Sequence, residues 1–171
     1  MMTPKTESSW MEFCEDEASS IRLGKRGFDA ETKPLIPVLT ELTQLGFYTC
    51  SSQPTHGGSH EHQRAYVSGY MPAKMRTFLL NHTPRDVTIW QSLDSITIVA
   101  FDGDWPGKTV GLSWCGEICM VDEVEPYRPA VVPFHAVDTR WERSDLYLFD
   151  QILAGIKRFH AEKNEAAQWW L

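Results

Sequence analysis

Basic residues are scarce in this chain, which carries 16 Lys and Arg against 23 Asp and Glu, a formal net charge of −7. Nucleic-acid-binding proteins usually carry a basic stripe, so we expect no nucleic-acid partner. Long apolar runs are also lacking: no segment approaches the roughly 20 apolar residues of a membrane span. Residues 1–9 lack the apolar stretch of a signal peptide. We therefore expect a soluble cytoplasmic protein with no membrane partner.

Cysteine is sparse, with four residues among 171, and only Cys115 and Cys119 lie close together. Three residues separate this pair, which matches neither a redox C-x-x-C motif nor a zinc half-site. Without a secretion signal, Cys14, Cys50 and this pair are expected to be reduced, buried thiols. We expect no disulfide and no cofactor.

Aromatic residues are plentiful, with seven Trp, five Tyr and eight Phe. A chain of this length can bury roughly 70% of the surface that its unfolded form exposes, so it can build a core without metals or disulfides. We find no repeat, low-complexity tract or linker. The sequence therefore predicts one globular domain over residues 1–171, with a flexible segment at 1–8.

Helical patterns lie at both ends of the chain. Ser9-Trp10-Met11-Glu12 has the form of a capping box and predicts a helix to about Ile21. The apolar spacing after Pro34 predicts a second helix, closed by Gly46. Pro72 opens a short helix to about Leu80, and Thr139–Glu142 has the capping-box form before a long final helix.

Strand patterns fill the middle of the chain, where alternation after Gln63 predicts a strand with one buried face. Val124–Phe134 contains three prolines and predicts an ordered surface loop. The short turns between strands favour an antiparallel meander. The fold class is therefore α+β: a mostly antiparallel sheet of about five or six strands covered by two or three helices. The predicted strands are residues 47–50, 63–71, 87–91, 95–101, 108–114 and 118–122.

The region from Ser51 to Arg64 concentrates polar donors, acceptors and imidazoles between two predicted strands. Thr55–His62 is expected to be a loop, and such loops on a rigid sheet often bind ligands, although a solvated hairpin loop is an equal alternative. The amides, hydroxyls and the guanidinium suit a polar or anionic ligand. The candidate ligand-binding residues are Ser51, Ser52, Gln53, His56, Gln63 and Arg64.

Part of the chain, roughly residues 10–80, resembles a known family. The residues that carry the resemblance are Leu35-Ile36-Pro37-Val38-Leu39, Gly46-Phe47, Thr49, Ser52-Gln53-Pro54, Gln63-Arg64-Ala65, Val67 and Gly69-Tyr70. They are similar to an uncharacterised actinobacterial domain family in which an L-x-P-x-L helix precedes G-F-x-T-x-x-S-Q-P and Q-R-A-x-V-x-G. The resemblance implies an architecture and a position for a site, but no activity. The His-rich segment His56–His62 departs from the family pattern.

Two other chemistries can be drawn from the polar region. His56, His60 and His62 could ligate a transition metal with Glu61 or Cys50, but their spacing matches no established site, so we expect no metal. A nucleophilic enzyme could combine Cys50 or Ser52 with His56 or His135 as base and Asp138 or Glu61 as the group that orients it. No G-x-S-x-G motif supports that arrangement, and the sequence leaves open whether the protein is an enzyme.

The leading hypothesis is a small binding domain for a polar or anionic ligand, nucleotide-like among the options, or for an acidic protein segment. An aromatic wall would come from Tyr48, Tyr66, Trp90 or Trp105. One alternative is a small Cys- or Ser-dependent hydrolase or transferase. Another is an inhibitor or interaction protein of a phage or mobile element that masks a host protein. The aromatic C-terminus could dock on its own domain or on a second copy, so a homodimer stays open.

Overall fold

The fold is taken from a computed structural model that describes residues 5–54, 56–57, 62–63, 65–84, 87–90, 122–138, 146–163 and 170. This part of the chain contains four α-helices and six strands. The helices are α1 (Glu7–Arg22), α2 (Ile36–Gln44), α3 (Ala73–His82) and α4 (Tyr147–Lys163). The strands are β1 (Tyr48–Gln53), β2 (His56–Gly57), β3 (His62–Gln63), β4 (Tyr66–Pro72), β5 (Val87–Trp90) and β6 (Val131–Asp138). Short 3-10 helices lie at Lys33–Leu35 and Glu125–Tyr127.

Four strands form one sheet in the order β1-β4-β6-β5, and every pair is antiparallel. The α+β class is therefore confirmed, but a single sheet of five or six strands is not. Among the described residues, β2 and β3 pair only with each other and form a separate two-stranded ladder. The strands predicted between 95 and 122 fall outside the described residues, apart from Asp122. The order also differs from a simple meander, since β4 pairs with β6 rather than with β5.

Strand β6 occupies an inner position of the sheet, between β4 and β5. The prediction of a surface loop over Val124–Phe134 is therefore wrong for the last four residues of that segment, 131–134. Its prolines suggested a loop, yet Pro133 is accommodated inside the strand, opposite Tyr70 of β4. The apolar residues around Pro133 supply the strand propensity and the burial that outweigh the missing proline N–H.

The Thr55–His62 segment is not wholly a loop. His56 lies opposite Gln63 and Gly57 opposite His62, so the predicted loop begins and ends in a short antiparallel ladder. β1 also runs on to Gln53, three residues beyond the predicted end at Cys50. The serines therefore lie on a strand rather than in a turn, and Pro54 ends it.

Helix α1 begins one turn earlier than expected, because Thr6 rather than Ser9 is the N-cap. The Ser9 amide donates to Thr6 Oγ1 at 3.2 Å, and the Thr6 amide donates to Ser9 Oγ at 3.0 Å. Ser9 thus takes the place that Glu or Gln usually holds in a capping box. The end of α2 is as predicted, with Gly46 at φ 97°, a conformation that glycine adopts at no steric cost.

Both faces of the sheet are covered. One face packs on α2, α3 and α4 in the larger core, to which Phe47, Val67 and Phe134 contribute. The other face meets α1 in a smaller aromatic core that contains Trp10 and Tyr70. All seven residues of β4 are buried, so the prediction of one buried face on this strand is wrong.

The last described residue packs on its own chain. Trp170 contacts both cores, and its indole N–H donates to the Lys5 carbonyl at 3.2 Å. Lys163, the last residue of α4, also forms an ion pair with Glu7, the first residue of α1, with 3.2 Å between Nζ and Oε1. Of the two docking modes expected for the C-terminus, the structure shows docking on its own domain for Trp170. Among the helices that the structure describes, none is both long and apolar enough to cross a membrane.

Candidate functional site

The outer edge of β1 borders a cavity. Within the described residues β1 pairs only with β4, so its other edge faces the connection between α1 and α2. A cavity of about 350 Å³ lies between the two, within the size range of small-molecule sites. Its lining residues come from the connection, from α2 and from β1: Arg26, Gly27, Phe28, Asp29, Thr32, Leu39, Thr49, Cys50, Ser51 and Ser52.

Arg26 bridges the two walls of the cavity. Its Nη1 donates to the Thr49 carbonyl at 2.7 Å, and its Nη2 donates to Glu17 Oε2 at 2.9 Å. The guanidinium lies over the Tyr48 ring, 5.0 Å from the centroid. Three independent contacts therefore hold the guanidinium in one place, on a side chain that remains 26% exposed.

Hydroxyl groups line the interior of the cavity. Thr32 is 8% exposed, and its side chain makes no capping hydrogen bond at the start of the 3-10 helix. The Thr49 hydroxyl lies 3.2 Å from that of Thr43, and this contact joins β1 to α2. Leu39 and Phe28 add apolar surface. The lining can therefore hydrogen-bond a polar group and pack an apolar one.

The structure brings together two of the six predicted ligand residues at this cavity, namely Ser51 and Ser52. Gln53 lies on β1 opposite Tyr66 and is not part of the lining. His56 and Gln63 face each other in the β2–β3 ladder. Arg64 lies outside the described residues. The cation beside the serines in the structure is therefore Arg26.

The aromatic residue of the cavity lining is also not one of those predicted from the sequence. Tyr48 contacts the cavity through Arg26 rather than as a lining residue, and burial raises the pKa of its hydroxyl well above the ordinary range. Tyr66 is not a lining residue but contacts one, with 3.2 Å between its hydroxyl oxygen and that of Ser51. Trp90 belongs to β5, and Trp105 lies outside the described residues. Phe28 is the aromatic residue of the lining.

A second buried polar group lies on β6, an inner strand of the sheet. His135 is fully buried, stacks on Tyr66 with 5.8 Å between ring centroids, and pairs across the strands with Ser68. Neither ring nitrogen has a hydrogen-bond partner among the described residues. Burial lowers the pKa of this imidazole to about 4, so His135 is neutral near pH 7.

Some members of the hydrolase hypothesis lie within the described residues. His135 and Asp138 lie three residues apart on β6, and strand alternation places them on opposite faces. The Cys50 thiol contacts the Tyr48 carbonyl at 4.0 Å. Glu61 and His60 lie outside the described residues.

The cysteines differ in their surroundings. Cys14 is buried in the smaller core, where burial raises its thiol pKa far above the ordinary range, as expected for a structural thiol. Cys50 is half-buried and lines the cavity. Cys115 and Cys119 fall outside the described residues. Among the described residues, no three His, Cys, Asp or Glu side chains lie together in a way that could hold a metal ion.

Four lining residues, Arg26, Phe28, Asp29 and Thr32, were not anticipated. They lie in the connection that follows Gly24, which breaks the helical pattern and has no motif of its own. They meet Ser51 and Ser52 only because α1 and α2 pack together and bring this connection back over the edge of β1. We find no local signal that would have identified them.

Comparison with known proteins gives one match and one negative result. A family described as a domain of unknown function, DUF6919, matches residues 6–94. No curated protein matches the chain. The matched region includes α1, α2, α3, β1 and β4, together with every residue that lines the cavity. It also contains the residues 10–80 in which a resemblance to an uncharacterised family was expected. The chain belongs to the DUF6919 family.

Proposed function

We propose that this protein is a binding domain that holds a small polar ligand in the cavity between residues 26–32 and β1. The observation that carries the proposal is the cavity itself: about 350 Å³, bordered by a fixed guanidinium and by hydroxyls of Thr32 and Ser52. Small-ligand sites typically combine an apolar lining with a few placed polar groups, and this lining has both. We also propose that the protein is cytoplasmic and that the pattern around Ser52-Gln53-Pro54 is that of an actinobacterial domain family.

The other hypotheses receive less support. An interaction protein would be favoured by a large exposed aromatic patch, but Leu23 and Leu146 are the exposed large hydrophobics of the described part. The hydrolase would need a nucleophile within hydrogen-bond reach of a base, and His135 has no such contact. The cavity is therefore the feature with the clearest functional use.

The test is native mass spectrometry of the full chain purified from its natural source, followed by denaturing release of any bound species. Gly27 lines the cavity, and a Cβ added there meets no atom within 4 Å. Gly27→Trp should therefore occupy ligand space and abolish co-purification while the fold is kept. The matched control is Lys25→Trp, two residues away and outside the lining, which should retain the bound species. Equal loading of both variants would contradict a ligand in this cavity.

A further inference from the structure

The two charged side chains of the cavity lining differ in their partners. Arg26 and Asp29 are the charged residues of the lining. Arg26 is already paired with Glu17, and the two side chains are similarly half-buried, 26% and 27% exposed. Asp29 is exposed and makes no side-chain hydrogen bond or ion pair with any other described residue. With Arg26 paired to Glu17, Asp29 is the charged lining residue that has no ion-pair partner among the described residues.

Arg26 is poorly placed to receive an anion. Both of its terminal nitrogens donate to protein oxygens, and the third contact is the Tyr48 ring. A ligand carboxylate or phosphate would have to share Arg26 with the Glu17 carboxylate, in a cavity whose lining also includes Asp29. Like charges in a partly dehydrated site repel, so an anion loses on both counts. Arg26 therefore acts as a positioning residue that joins the connection to β1.

The remaining lining defines what else the ligand carries. Thr32 is buried, yet its hydroxyl has no capping bond, which leaves it open to a ligand group. Phe28 and Leu39 offer apolar surface beside it. An aliphatic or aromatic body would pack there and keep a charged head group at the exposed carboxylate, as amphipathic groups do at protein surfaces.

From these contacts we infer that the ligand of this cavity is a small organic amine, whose ammonium binds Asp29 and whose apolar part packs on Phe28 and Leu39. The inference rests on the proposed function and names the chemical class of its ligand. It reverses the sign of charge expected from the sequence, where Arg64 and the serines favoured an anion.

Three probes of nearly the same shape test the class: 2-phenylethylamine, 2-phenylethanol and 3-phenylpropionate, a cation, a neutral molecule and an anion at pH 7. Each is titrated into the full isotope-labelled chain, and the amide shifts of residues 26–32 and 49–52 are followed by NMR. We expect the amine to bind about fivefold more tightly than the alcohol, as a partly exposed ion pair allows. The propionate should bind more weakly than the alcohol. Added salt should reduce the preference for the amine.

Asp29→Asn should remove the preference, so that amine and alcohol bind equally. The control is Asp16→Asn, which makes the same charge change on the exposed side of α1 and should keep the preference. Preference for the propionate that is lost in Arg26→Gln would overturn the inference in favour of an anion. So would equal binding of all three probes, or an amine that fails to bind at roughly 10 mM, where even millimolar ligands bind.

Failure of the class and failure of the site give different results. If the alcohol or the propionate binds as tightly as the amine or more tightly, and Gly27→Trp blocks that binding, the cavity is a ligand site and only the amine class is wrong. If the probes bind and Gly27→Trp leaves every titration unchanged, binding lies elsewhere and the proposed function fails too.

Discussion

Gly69 lies where the backbones of β1 and β4 approach most closely. A Cβ placed on this residue would overlap the Tyr48 carbonyl oxygen and lie 2.9 Å from the Tyr48 carbonyl carbon. The clash is with backbone, which cannot rotate away as a side chain can. The position therefore requires glycine because of space, not because of its backbone angles.

We predict that Gly69→Ala destabilises the protein by roughly 3 kcal/mol, the upper range for inserting a methyl group into a packed site. The free energy of unfolding would be measured by urea denaturation. Gly27→Ala is the matched control, because its new Cβ meets no atom within 4 Å. We expect the control to change stability by about 0.5 kcal/mol or less. Similar effects of the two changes would contradict the close approach of β1 and β4.

At the scale of single elements, the start of α1 depends on two short side chains. Thr6 and Ser9 each accept a hydrogen bond from the other's backbone amide. We predict that Thr6→Ala costs about 1 kcal/mol of stability, as loss of an N-cap usually does. Because the contacts are reciprocal, Ser9→Ala should destabilise the Thr6→Ala variant less than it destabilises the wild type. A double-mutant cycle of unfolding free energies in urea measures this difference. Additive losses would show that the two bonds act independently.

The helices could largely be predicted from the sequence, because their signals are local. The apolar spacing from Leu35 to Leu45 and the glycine at position 46 identify α2 without knowledge of the rest of the chain. β6 could not be predicted in this way, because its position depends on pairing with β4, about 65 residues earlier in the chain. Its proline is also more typical of a loop. Pairing partners so far apart leave no mark within a short window of sequence.

The residues of the candidate site also differ in whether a local sequence signal identifies them. Ser51 and Ser52 stood out because polar residues directly after a predicted strand are a local signal. Asp29 and Arg26 did not, because they reach the cavity only through the packing of α1 against α2. Their role depends on charge balance, which requires knowing that Glu17, nine residues before Arg26, is its partner.

For the whole molecule, the two-sided burial of the sheet links stability to pH through His135. Its folded pKa, about 4, lies below the ordinary value of 6.5. Above pH 6.5 the imidazole is neutral in both states. As the pH falls from 6.5 towards 4, the unfolded chain takes up a proton that the folded chain does not, so folding stability is lost, by up to about 3 kcal/mol.

We predict that His135→Phe, which keeps a ring against Tyr66, reduces this loss and leaves the part due to His160, whose pKa burial also lowers. Unfolding by urea at about pH 7 and pH 4.5 would measure it. The control is His82→Gln on the exposed end of α3, which should leave the wild-type pH dependence in place. If His135→Phe loses as much stability in acid as the wild type, another group is responsible.

The contact between Trp170 and Lys5 has a topological consequence. An indole that donates to a backbone carbonyl at 3.2 Å places the first and last described residues of the fold side by side. A short linker could therefore join these ends, and the chain could be reopened at a surface turn elsewhere. The order in which the helices and strands are synthesised would change while their packing would not. A circularly permuted protein that folds to the same structure would show that this architecture depends on which elements meet, not on which comes first.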